Sequence, residues 1–472
     1  MRWIFHLSLI FLLAACGEQN VPPVHEAKEL VILTRSGPTT YSVDETRGAV
    51  GFDHDLAKLF AEELGLKARF VVAASDADIL QRLKKKEAHL AAAWLIPVDD
   101  PEIPHTQAFF ESTNLLVSHE ASLPIDEIGE LADMRVHVVA GSRQASALRK
   151  LQESVPTLEI VEEAKQDELD LLEKVSTRRI QSAVVNNAIF DIASNYYPDL
   201  QASLQVGEKH PINWLLGPAS SGELADKAEA FINHAKKDGT LERLRDRYFG
   251  HVERLKQGDS IRFIERIRTV LPQYRMMFQT AQASTGIDWR LLAALAYQES
   301  QWDPLATSAT GVRGMMMLTE DTADHLGVSN RLDAKVSIRA GSQYLSDLRE
   351  MLPDSVKEPD RLWLALAAYN LGMGHMNGAR SIALGQKANP DSWYEMKKTL
   401  PLLARPQYYS RLKSGKARGG EAVIMVENIR VYADILSRYE TPYRPLESSM
   451  KKKAGKTAAK SAKAAKPRKK KR

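Results

Sequence analysis

The chain has 472 residues, 44% hydrophobic and 26% charged, which is the balance of a globular protein. One core rarely serves that length, so two or three domains are expected. The net charge of +4 is local: residues 451–472, KKKAGKTAAKSAKAAKPRKKKR, hold 12 Lys or Arg and no acid, and the remainder balances to −8, so a nucleic-acid-binding body is not expected.

In chain order, the first segment is MRWIFHLSLIFLLAAC, an early Arg followed by an apolar run ending in small residues. The run is shorter than the roughly 20 residues a membrane span needs, so residues 1–15 read as an export signal. Its end, Leu13-Ala14-Ala15-Cys16, resembles the lipobox of bacterial lipoproteins. That resemblance implies cleavage before Cys16, lipid on its thiol, and, with Gly17 next, the outer membrane of a Gram-negative cell facing the periplasm. Cys16 is the only cysteine, so no intramolecular disulfide or thiolate metal site is expected. Residues 16–28 are polar with two prolines and read as a tether.

From residue 29 to 250, short apolar runs alternate with helical periods. LVILT, ARFVVAA, AHLAAAW, RVHVVAG, LEIVEEA and QSAVVNNA are strand-like, and FDHDLAKLFAEELGL and ADILQRLKKKEA are helix-like. That is the rhythm of a parallel α/β sheet. Residues 251–260 read as a linker. From 261 to 447 only helical periodicity remains, in IRFIERIRTVLPQYRMMFQTAQAST, WRLLAALAYQES, SIRAGSQYLSDLREM and RLWLALAAYNLGMGHMNGAR. The tail, 448–472, lacks apolar anchors and is expected to be disordered, with anionic envelope polymers as its partner. His54, His89 and His105 are scattered and read as surface residues, not metal ligands, and no phosphate loop, HExxH or GxSxG occurs, so no metal or cofactor is expected.

The 30–250 segment resembles the extracellular solute-binding proteins that serve amino-acid transporters. The resemblance rests on Gly51, Phe52, Asp53, Asp55 and Leu56 near the start, on RVHVVAGSR at 135–143, and on the closing DGTLERLRDRYFG. It implies two α/β lobes around a cleft, with Tyr41, Trp94 and Ser142 as candidate lining residues. The family's carboxylate-gripping Arg is missing from WLIPVDDPEIPHTQAFFES, and Asn186 and Asn187 stand where an amino-binding Asp is common. Losing both charges disfavours a free amino acid and leaves a larger cell-wall peptide, a muropeptide, or no ligand.

Glu299 closes the helical run WRLLAALAYQES on the face of Leu292, Leu295 and Ala296. A carboxylate directed at packed apolar surface is costly, and it is raised toward the pKa a general acid needs. ESQWDPLATSATGVRGMMMLTEDTA, followed about 70 residues later by ALAAYNLGMGH, resembles the lytic transglycosylase domain with a goose-type lysozyme fold. The resemblance implies an α/β two-lobed periplasmic-binding-protein-like domain followed by a mainly α lysozyme-like domain. It implies that Glu299 is the sole acid/base, cutting peptidoglycan glycan strands by internal attack to leave 1,6-anhydro sugars. It also implies that Ser308 bonds Glu299 or the acetamido group, that Gly314 and Met316 meet substrate, and that Tyr369 and Asn370 line the sugar cleft. Gly311 and Gly314 are expected to allow close approach of sugar to backbone. Two positions depart from the family: Met317 replaces a Gln, and Met425 in EAVIMV replaces a Tyr, for which Tyr408 or Tyr409 is a candidate substitute. Two other classes stay open. One is a murein sensor with a degenerate enzyme domain. The other is a hydrolytic muramidase with a second carboxylate drawn from Asp303, Glu320, Asp321 or Asp324.

Overall fold

The computed structural model describes residues 20–44, 48–218 and 222–444. The signal segment, Cys16 and the basic tail lie outside the described residues. The chain divides into two compact units, with the boundary after Tyr248 and the short stretch Ser194–Pro198 grouped with the second.

The first unit holds twelve described strands: β1 Glu29–Thr34, β2 Ser42–Asp44, β3 Gly48–Val50, β4 Lys67–Val72, β5 Leu90–Leu95, β6 Phe110–Ser112, β7 Asn114–His119, β8 Arg135–Val139, β9 Glu159–Glu163, β10 Ser182–Asn186, β11 Leu200–Gln205 and β12 His210–Leu216. They form two five-stranded sheets, ordered β4-β1-β5-β12-β6 and β11-β7-β10-β8-β9, and a β2–β3 ribbon. Within the first sheet β1 runs parallel to β4 and β5, and within the second β8 runs parallel to β9 and β10; β12 and β7 run antiparallel. The chain crosses from one sheet to the other at Thr113 and returns through residues 206–209. These two crossings make two lobes and place the strand ends around a cleft, as the resemblance implies. β1, β5 and β10 are buried on both faces, which is why they read as continuous apolar runs without alternation.

Two histidines differ from the surface reading. His89 is fully buried. Its Nδ1 accepts the Val31 N–H at 2.9 Å and its Nε2 lies 2.9 Å from the Pro22 carbonyl. It therefore satisfies backbone groups at the edge of β1 that water cannot reach. His54 is buried beside Asp55, 2.9 Å away. His105 is exposed.

The second unit is helical, with no named strand among its described residues. Its centre is the helix Trp289–Ser300, in which every residue from Trp289 to Tyr297 is buried. An isolated helix of this composition has no polar face; it is stable only when surrounded. The helices Arg275–Thr285 and Gly419–Tyr439 pack on it, and Ala334–Met351 and Asp360–Leu371 complete the core. Pro272, in a short 3₁₀ turn, divides what the sequence presents as one helical run into Gln257–Thr269 and Arg275–Thr285. Gly372 at φ +80° similarly divides Asp360–Leu371 from Met373–Gly385. No described helix is long and apolar enough to cross a membrane.

Candidate active site

Glu299 sits in the last turn of Trp289–Ser300, whose cap is Gln301 in the left-handed region. Leu292, Leu295 and Ala296, on its face, are fully buried. Burial pushes the Glu299 carboxyl up to about 7, and no other group contributes to the shift. The negative end of the helix dipole also disfavours ionisation at this position. The carboxyl receives no hydrogen bond or ion pair from the described residues.

The loop after Trp289–Ser300 is held beside it by three hydroxyls. Ser300 Oγ donates to the Met315 carbonyl at 2.9 Å. Ser337 Oγ, fully buried, accepts the Met316 N–H at 3.1 Å. Tyr369 donates to the Met316 carbonyl at 2.7 Å. Each satisfies a buried backbone group that would otherwise cost 1–3 kcal/mol or so. The Tyr369 phenol is pushed well up by burial and then by the nearby Glu299 charge, so the hydroxyl stays neutral beside that carboxyl. The Tyr344 ring packs against it at a tilt of 56°, ring centroids 5.3 Å apart. The Ser of Glu-Ser and the Tyr of AYN were visible in the sequence; Ser337 and Tyr344, on Ala334–Met351, were not, because only the packing of that helix brings them here.

The other candidates fall as follows. Ser308 Oγ pairs with Thr310 Oγ1 at 2.9 Å and accepts the Thr310 and Val312 N–H groups, so it closes its own turn. The Met316 side chain is fully buried against Gly341; it is the backbone of Met316 that ties to Tyr369. Gly314 is buried at φ +84° and faces the Arg331 carbonyl, so close approach is indeed the reason for glycine, with protein in place of sugar. Arg331 Nη1 donates to the Gly311 and Leu318 carbonyls at 3.1 and 3.0 Å and braces the same loop. Asn370 is exposed at the end of its helix. Met317 is half-buried at φ +46° and is not packed into the core, whereas Met425 is a core residue. The Tyr408 hydroxyl accepts from Gln386 at 3.2 Å.

The first unit has a separate cleft, lined from one lobe by Arg35, Thr40, Asp76 and Trp94 and from the other by Ser142, Arg143, Glu168 and Asn186. Trp94 and Ser142 thus lie in it; Tyr41 packs instead on Phe70 and His54, with ring centroids 5.5 and 5.6 Å away. The two family positions stay uncharged, with Asn186 in the lining, but Arg35, Asp76, Arg143 and Glu168 bring charge to the cleft from elsewhere. Arg143 Nη1 donates to the Trp94 carbonyl and Nη2 to Ser112 Oγ, both at 3.0 Å. Arg35 pairs with Asp76 at 2.9 Å. Burial pushes Asp76 and Glu168 up, against the pull of the arginines and, at Glu168, of the Asn186 N–H.

Residues 276–391 match the family described as Transglycosylase SLT domain, and residues 30–251 match Bacterial extracellular solute-binding proteins, family 3. The class is therefore a transglycosylase domain joined to a solute-binding domain. Relatives that align over nearly all of both chains are named membrane-bound lytic murein transglycosylase F. The one from Methylobacillus flagellatus is 41% identical over 94% of this chain and 96% of its own. Those from Thiobacillus denitrificans and Nitrosospira multiformis are 40% and 39% identical, covering 93% and 92% of this chain and 94% and 91% of their own. The chain belongs to the membrane-bound lytic murein transglycosylase F family. Among solved structures, an ancestral arginine-binding protein bound to arginine aligns at 20% identity and TM-score 0.42, covering 47% of this chain and 99% of its own.

Proposed function

We propose that the chain cleaves the β-1,4 bond between N-acetylmuramic acid and N-acetylglucosamine in peptidoglycan, without water, leaving 1,6-anhydromuramyl ends. The carrying observation is the isolation of Glu299. Glycoside hydrolases commonly set two carboxyls about 5 to 9.5 Å apart, one to protonate the leaving oxygen and one to attack or activate water. Burial alone moves Glu299, while Asp303, Glu320, Asp321 and Asp324 are all exposed. On this reading one carboxyl serves both steps. Protonated Glu299 gives its proton to the glycosidic oxygen. The carboxylate so formed takes the proton of the muramic acid C6 hydroxyl as that oxygen closes on C1. The proton is returned, so the cycle consumes no water and leaves the acid ready. Mass spectrometry of products from purified peptidoglycan tests this directly. Anhydro ends are expected. Reducing ends would point to hydrolysis, and no product at high enzyme concentration to a sensor.

Because the protonated form is the one that starts the reaction, turnover should be flat on the acid side of the Glu299 pKa and fall as pH rises through about 7. Well above it, each pH unit is expected to cost about tenfold. A kcat/KM profile on soluble glycan strands that shows no decline up to pH 9 or so would remove Glu299 as the acid.

Glycan strands are the first partner, and the protein works at a membrane on the periplasmic side, in keeping with its membrane-bound relatives. Lipid on Cys16 would hold it at the outer membrane, with the basic tail on anionic envelope polymers. The first-unit cleft would take a muropeptide, its carboxylates on Arg35 or Arg143 and its ammonium on Asp76 or Glu168, and modulate turnover. Equal turnover with and without added muropeptides would count against that modulation.

A further inference from the structure

Residues 252–275 lie between the two family matches, which end at 251 and resume at 276. The helix Gln257–Thr269 in this interval nevertheless packs against the turn that ends the catalytic helix. Phe263, fully buried, meets the rings of Tyr297 and Trp302 with centroids 4.4 and 5.5 Å away. Arg266 Nη2 donates to the Gln301 carbonyl at 2.5 Å. The turn needs such support. Gln301 and Trp302 are consecutive non-glycine residues at φ +53° and +61°. That backbone region is unfavourable for L side chains and persists only where the surroundings hold it. Trp302 is held by its Nε1, which donates to the Ala293 carbonyl at 2.8 Å. Gln301 is held at its carbonyl by Arg266. A second link comes from the same interval: Arg254 Nε donates to Asn428 Oδ1, and Asn428 Nδ2 to Gln298 Oε1, both at 3.2 Å. Gln298 immediately precedes Glu299.

We infer that Gln257–Thr269 is a positioning element of the catalytic site and that Arg266 is its positioning residue, fixing through the Gln301 carbonyl the turn that keeps the Glu299 side chain half-buried. The inference rests on Glu299 being the acid. Arg266 does not touch substrate; it acts through the backbone two residues after Glu299. Without it the Gln301 carbonyl loses its donor, the left-handed pair relaxes, and the half-buried last helical turn opens further to water. A hydrated carboxyl ionises more readily, so the acid is lost at lower pH. The titratable and charged groups around this turn are the Tyr369 phenol on the Glu299 side, Arg262, Arg266 and Asp259 on the Tyr297 side, and the exposed Asp303.

The test uses the full chain, wild type beside Arg266→Ala and Arg266→Lys, on soluble glycan strands. For Arg266→Ala, kcat is expected to drop about tenfold or more with KM within about twofold, the pattern of a defect confined to the transition state. The alkaline limb of its kcat/KM profile should move down by roughly one pH unit. Arg266→Lys, which can still donate to the Gln301 carbonyl, should restore both. A lowered melting temperature with unchanged kcat and unchanged limb would overturn the inference, leaving Arg266 a merely structural residue. If Arg266→Ala does not fold, Asn428→Ala decides, since it cuts the second link to the same turn. Its limb should shift the same way, and an unshifted limb overturns the inference. Anhydro products from wild type, with Arg266→Ala indistinguishable from it, defeat this inference alone; a wild type without anhydro products defeats the reading beneath it.

Discussion

Glu299→Gln should lower the yield of anhydro-ended product by about 10³-fold while the protein stays folded. Gln fills the same space but has no transferable proton, so both proton steps lose their agent. The fold should tolerate the change because the pocket already favours a neutral side chain. Linkage gives this a second reading. The Glu299 carboxyl is raised from 4.5 to about 7, so the folded state holds its proton more tightly than the unfolded chain. The protein therefore loses stability as pH rises from 4.5 to about 7, by up to about 3 kcal/mol, and no more from this group above that. Glu299→Gln lacks that slope. Its melting temperature relative to wild type should be higher at pH 8 than at pH 5. Product analysis and paired melts check both halves. An active Glu299→Gln protein, or melts with the same pH dependence as wild type, would show that the acid lies elsewhere.

The helix Trp289–Ser300 was readable because its signal is local. WRLLAALAYQES has no polar face until Gln298, so burial and the odd placement of Glu299 follow from periodicity alone. What was not readable depends on contacts across long stretches of chain. Arg143 stood in plain view in AGSR, but its reach to the Trp94 carbonyl and Ser112 depends on how two lobes meet. The segment after β5 has no arginine, and the guanidinium that lines the cleft beside Trp94 comes from the opposite lobe. His89 looked like a surface histidine because its partner, the Val31 N–H, is 58 residues away. Ser308 shows the reverse case. The motif led to Glu299, yet its hydroxyl is committed two and four residues onward, to a turn that short-range geometry alone would have suggested. The tether, the lipidation cysteine and the tail rest on composition, which speaks to class and not to geometry.

Gly314→Ala should cost about 3 kcal/mol or more and remove activity from what still folds. Two penalties coincide there. Gly314 is at φ +84°, and a Cβ added to it would stand 1.9 Å from the Arg331 carbonyl oxygen. A side chain in the way could rotate aside, but that oxygen belongs to the backbone. Its chain cannot retreat, because the Arg331 guanidinium is itself bonded to the Gly311 and Leu318 carbonyls on either side of Gly314. The loop must move instead. Movement there breaks the ties of Met315 and Met316 to Ser300, Ser337 and Tyr369, and with them the wall beside Glu299. Gly311→Ala is the control. Gly311 has φ +79° but open space around it, so only the left-handed backbone penalty of about 1–2 kcal/mol applies. Chemical denaturation should therefore rank wild type, Gly311→Ala and Gly314→Ala in falling order of stability. Turnover per folded molecule should survive in the second and not in the third. Equal stability of the two alanine variants would mean that the Arg331 carbonyl yields, and that the loop beside Glu299 is held by less than its hydrogen bonds indicate.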